Sequence, residues 1–114
     1  MLVVNRYRVE EDQIEEFLAE AAAALAVLAA RPGFVTGRLG RSTDEPGLFA
    51  MATDWLDVGS YRRALSHPQV KVSVVPLMYR CIDEPGAYEV ALETVAGAVL
   101  QRSSDLSGEV RDDR

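Results

Sequence analysis

The stretch Leu48-Phe49-Ala50-Met51-Ala52-Thr53-Asp54-Trp55 reads as a β-strand that ends on the chain's single tryptophan. A helix start follows at once. Asp57 is placed to cap it, and Tyr61, Ala64 and Leu65 form its apolar stripe. A large aromatic at a strand-to-helix joint lies at the rim of whatever the helix and sheet enclose. A small α+β domain keeps its pocket there.

Working backwards, Ser42-Thr43-Asp44-Glu45-Pro46-Gly47 clusters the residues that favour a turn. Residues 34–41 then form a strand, and the two strands form a hairpin. Before them, Pro32-Gly33 stops a helix that carries Ile14, Phe17, Leu18, Ala21, Leu25 and Leu28 at helical spacing. Glu10, Glu11 and Asp12 crowd its start, where negative charge suits the helix dipole. Residues 2–9 alternate as a strand: Val3, Asn5, Tyr7 and Val9 share one face, and Leu2, Val4, Arg6 and Arg8 the other.

Beyond Trp55, Pro68 interrupts the second helical region and belongs at the first position of a new turn. Val70, Val74, Leu77 and Met78 give that second piece an apolar side. Pro85-Gly86 is a turn, and residues 87–93 read as the last strand. From about residue 96 the pattern fades. Residues 1–95 therefore read as one domain, and residues 96–114 as a flexible tail with at most a short helix.

The order β-α-β-β-α-β predicts an α+β, ferredoxin-like fold: an antiparallel sheet with both helices on one face. The other face carries Leu2 and Val4 and needs water or a partner. Pairing two such sheets in a homodimer buries it.

Composition narrows the partners. The net charge is −6, so nucleic acid and anionic membrane surfaces, which reward basic patches, fit poorly. The longest apolar run, residues 21–30, is too short to span a bilayer. No segment reads as a signal peptide. A single cysteine, Cys81, excludes an internal disulfide and fits the cytoplasm. A single histidine excludes a multi-histidine metal site within one chain.

The opening VVNRYRV, the helix with Phe17, the RPGF turn, the FAMATDW strand, Tyr61 and the closing PGAYEV together resemble an antibiotic biosynthesis monooxygenase domain of the dimeric α/β-barrel superfamily. The resemblance covers residues 2 to about 95. It implies a homodimer with a pocket between helices and sheet in each subunit. One branch of that family oxidises polycyclic phenols or anthrones to quinones with dioxygen and neither metal nor flavin. Trp55 and Tyr61 match its pocket residues, whereas Met51 stands where it carries an asparagine. A haem-degrading branch uses an asparagine that Asn5 matches, but its tryptophan and histidine positions fall on Ala64 and Val74.

As chemistry, the Asn5 amide suits donation to a phenolate or a peroxide oxygen. Trp55 suits stacking on a flat aromatic, and Tyr61 a hydrogen bond to a substrate oxygen. His67, the chain's one imidazole, is a candidate general base or, in the alternative, a cap and solvent-facing residue. Phe17, Met51, Leu65, Val70 and Val74 form the expected apolar wall. The leading expectation is a cofactor-independent monooxygenase acting on a small aromatic molecule. A non-catalytic dimeric binding or regulatory module and a haem-binding protein, with His67 as ligand, are the alternatives.

Overall fold

The computed structural model describes residues 1–106. Strand β1 (Leu2–Arg8) leads through a single 3₁₀ turn, Glu11–Gln13, into helix α1 (Ile14–Ala29). The hairpin β2 (Phe34–Arg41) and β3 (Leu48–Trp55) follows, with the bounds its alternation predicts. The next helical layer comes in three pieces: α2 (Val58–Ser66), α3 (Pro68–Ser73) and α4 (Val75–Met78). Strand β4 (Ala87–Tyr88) completes an antiparallel sheet of order β2-β3-β1-β4. This is the expected ferredoxin-like arrangement.

Local chemistry explains these boundaries. Gly33 takes φ +88°, and a side chain there would lie 2.3 Å from Ser60, so the turn after α1 needs glycine twice over. Asp57 caps α2 by accepting from the Ser60 N–H at 2.7 Å. Pro68 opens α3 at a position where its missing N–H costs nothing.

The register pairs Val3 with Thr53, Asn5 with Met51 and Tyr7 with Phe49. Period two then sends all six side chains to the helix side. All but Asn5 are buried, together with Phe17, Ala21, Ala24 and Leu28 of α1 and Val70, Val74 and Leu77 of the second layer. Tyr7, Phe17 and Phe49 form an aromatic row, with centroids 5.1 and 5.3 Å apart. The opposite sheet face holds Leu2, Val4, Ala50 and Ala52, all partly exposed. Beside them Arg6 makes a two-pronged bond to Glu84, which holds that carboxyl below its usual range.

The last strand differs from expectation. Residues 87–93 do not form one strand: only Ala87 and Tyr88 pair with β1. Leu92–Val95 is a separate strand, β5, which pairs with β6 (Ala98–Gln101). Glu89 accepts from the backbone N–H groups of Asp105 and Leu106, drawing the chain out of the main sheet. Ala96 and Gly97 both have positive φ, the geometry of a two-residue hairpin turn. Residues 98–101 are thus a strand rather than the short helix or loose tail expected there. The rest of the expected tail, residues 107–114, lies outside the described residues. Among the described residues no helix is long and apolar enough to cross a membrane.

Candidate functional site

Between sheet and helices lies a small, partly open cavity of about 10 Å³, room for one water-sized sphere. Its polar border is Asn5 and Tyr7 from β1, Thr53 from β3 and Tyr61 from α2. Its apolar border is Val3, Met51, Leu28 of α1, and Val74, Leu77 and Met78. Larger clefts exist, but they are open surface. One, about 810 Å³, is bordered by Arg38 and Arg102 and by the carboxylates of Asp54, Asp57, Glu89, Glu93 and Asp105, an open acidic surface without a buried donor set. The small inner cavity is the better candidate because buried polar groups meet in it.

Asn5 is held at its edge. Its Nδ2 approaches the Cys81 Sγ at 3.8 Å, a weak contact that leaves most of its hydrogen-bonding capacity unused. The backbone of Gly86 passes so near that an added Cβ would lie 2.9 Å from Nδ2. The loop after α4 therefore fixes where the amide sits.

Tyr7 is 2% exposed, and its hydroxyl has no hydrogen-bond partner among the described residues. Burial, with a smaller push from the neighbouring Cys81 thiol, raises its pKa to about 12. Burial also raises Tyr61, again helped by Cys81. Both phenols are thus neutral donors at ordinary pH.

Trp55 supports the site rather than bordering the cavity. Its indole N–H donates to the Thr53 hydroxyl at 2.9 Å. Its ring meets Phe34 edge-on at 5.2 Å and Tyr61 at 5.6 Å. The indole buttresses Tyr61 and occupies one lone pair of Thr53. His67 stands at the joint between α2 and α3, where Nδ1 accepts from the Gln69 N–H at 3.2 Å. It caps α3 and does not border the cavity.

The structure thus brings Asn5, Tyr61, Met51 and Val74 to one space, and leaves Phe17, Leu65 and Val70 in the surrounding core. It adds Tyr7 and Thr53. Tyr7 carried a signal in the sequence, because it shares the strand face of Asn5. Thr53 carried the same signal relative to Met51 and Trp55.

Residues 1–74 match the antibiotic biosynthesis monooxygenase family. The chain belongs to that family. Among solved structures it is similar to SnoaB, a cofactor-independent oxygenase from Streptomyces nogalater, at 28% identity and TM-score 0.70, over 83% of this chain and 95% of that one. A conserved protein from Methanosarcina mazei is similar at 20% identity and TM-score 0.62, over 75% of this chain and 84% of that one. A Shewanella oneidensis protein is similar at 16% and 0.58, over 73% and 81%. These last two likenesses speak for the fold alone. No curated protein matches the sequence significantly.

The donor set does not fit haem. Asn5 stands at the right place, but Ala64 and Val74 offer no donor, and His67 spends Nδ1 on its cap. Among the described residues no three His, Cys, Asp or Glu side chains gather as a metal site.

Proposed function

We propose that this chain is a cofactor-independent monooxygenase that oxidises a cyclic aromatic phenol or anthrone with dioxygen. The observation that carries the reading is the convergence of an amide, two phenols and a hydroxyl, from Asn5, Tyr7, Tyr61 and Thr53, on one small cavity between helices and sheet. Membership of the family and the likeness to the Streptomyces oxygenase support it.

The chemistry asks little of the protein. An anthrone carbon loses a proton and becomes electron-rich enough to pass an electron to dioxygen. The radical pair joins as a peroxide, and loss of the second C–H proton with cleavage of O–O leaves a carbonyl. The CH₂ group plus O₂ thus becomes C=O plus H₂O. The pocket must favour the ionised substrate, exclude water and hold oxygen beside the carbon. Asn5 and Tyr61 would donate to the developing oxyanion, with Met51 and Val74 as wall. Met51, facing Asn5 across the β1–β3 register, leaves this site one amide fewer than the family branch with known quinone-forming activity.

The same proposal includes a homodimer built on the open sheet face, with Leu2, Val4, Ala50 and Ala52 at its centre, and a cytoplasmic setting suited to one unpaired thiol. Light scattering coupled to gel filtration tests the dimer: Val4→Lys should halve the mass if that face is the contact.

One observation favours a second reading, a non-catalytic binding or regulatory module. The cavity of about 10 Å³ is far below the roughly 150 Å³ of an apolar site that takes benzene. Oxygen consumption with an anthrone or hydroquinone separates the two. Uptake that falls in an Asn5→Ala variant supports the oxygenase, and no uptake from either protein supports the module.

A further inference from the structure

The Tyr7 hydroxyl is unexplained by folding. The ring earns its place, stacked obliquely on Phe17 in the aromatic row. A phenylalanine ring would pack there equally well. The oxygen lies buried, borders the cavity and finds no partner among the described residues. Burying a hydroxyl unpaired is costly, so such a group calls for a ligand atom or a bound water. Its neighbours sharpen the choice. Asn5 lies two residues earlier on the same strand face, and Tyr61 faces it from α2. The titratable groups that act on Tyr7 are Cys81, Arg80 and Tyr61, and their net result with burial keeps the phenol protonated.

We propose that Tyr7 is a substrate-contact residue whose hydroxyl donates to the oxygen of an aromatic ligand bearing a hydroxyl or keto group, beside Asn5 and Tyr61. The ligand's oxygen takes the water-sized space, and its ring follows by displacing Leu77 and Met78. Those two residues belong to or end α4, a four-residue helix with a proline in its first turn. Methionine is suited to such yielding, because its unbranched side chain repacks readily. The ligand class rests on the oxygenase reading, whereas the oxygen-binding role of Tyr7 rests on its own unpaired hydroxyl.

The test is a pair of titrations of the full chain, with 1-naphthol and with naphthalene, followed by the emission of Trp55. Oxygen uptake with an anthrone is measured alongside. Wild type should bind 1-naphthol about 10-fold more tightly than naphthalene, the worth of one hydrogen bond. Tyr7→Phe should bring the two within about 2-fold, keep naphthalene affinity, and melt no lower than wild type. That last readout separates a lost contact from a damaged fold. Equal affinity of wild type for both ligands, no binding of 1-naphthol, or an unchanged preference in Tyr7→Phe would each overturn the proposal. A preference that depends on Tyr7 without any oxygen uptake upholds the oxygen site and sinks the oxygenase reading. Uptake and preference that are both indifferent to Tyr7→Phe do the reverse.

Discussion

The two halves of the helical layer are built differently. Helix α1 runs unbroken from Ile14 to Ala29, and its buried alanines Ala21 and Ala24 let it lie close on the sheet. The other half is cut into pieces of nine, six and four residues, with Pro68 and Pro76 at the joints. Val74 sits between two of them with φ −113°, off the helical value, and three β-branched residues around it weaken the helix. The cavity lies against this broken half: of its helical border, only Leu28 comes from α1. Continuous helix and small residues give close packing. Short segments and longer, flexible side chains give a wall that can shift.

The largest expected effect tests the firm half. Phe17→Ala removes the ring between Tyr7 and Phe49 and should cost about 3–5 kcal/mol, read by urea unfolding. Next, Asn5→Ala should lower the rate of oxygen uptake about 10²-fold, as loss of an oxyanion donor does, with little change in melting temperature. The amide's hydrogen bond to Cys81, at 3.8 Å, is too weak to hold the fold.

Leu77→Ala tests the broken half and should cost about 2–3 kcal/mol, the low end for a buried leucine, because α4 can settle into the space. A loss equal to that of Phe17→Ala would erase the contrast between the halves. The same variant should strengthen binding of naphthalene.

The smallest effect is alkaline. Below pH 10 the Tyr7 phenol is neutral in both folded and unfolded chains. Above pH 10 the unfolded chain ionises it, while the folded chain resists to about 12. Stability should therefore fall as pH rises through that window. Tyr7→Phe should flatten the fall, and at neutral pH gain about 1 kcal/mol by removing an unpaired buried hydroxyl.

Much of this contrast was legible in the sequence. The alternation of residues 2–9 placed Asn5 and Tyr7 on one strand face, Met51 was expected in the pocket wall, and Pro68 announced the break beside His67. What was not legible depended on torsions and on distant partners. Trp55 stands where expected, yet its N–H turns back to Thr53, two residues away on the same strand face. A pattern of residue types cannot tell that rotation from one aimed at a ligand. The last strand was misread because Val90 and Leu92 continue the alternation of Tyr88, while the bonds from Glu89 to Asp105 and Leu106 divide it. Ala96-Gly97 was a weak turn signal, since alanine rarely accepts positive φ. Tyr7 shared the strand face of Asn5 but otherwise looked like core, and its hydroxyl's lack of a partner among the described residues marks it out.

Gly86 has a consequence of its own. Its carbonyl accepts the Val4 N–H at 2.7 Å, so this backbone cannot drift away from β1. The missing side chain leaves a gap one methyl group wide, and the Asn5 amide fills it. The gap acts as a mould, cast by a residue that never touches the ligand. An alanine at position 86 would press the amide toward the cavity or prise β4 from the sheet, and substrate choice would shift before any wall residue had changed.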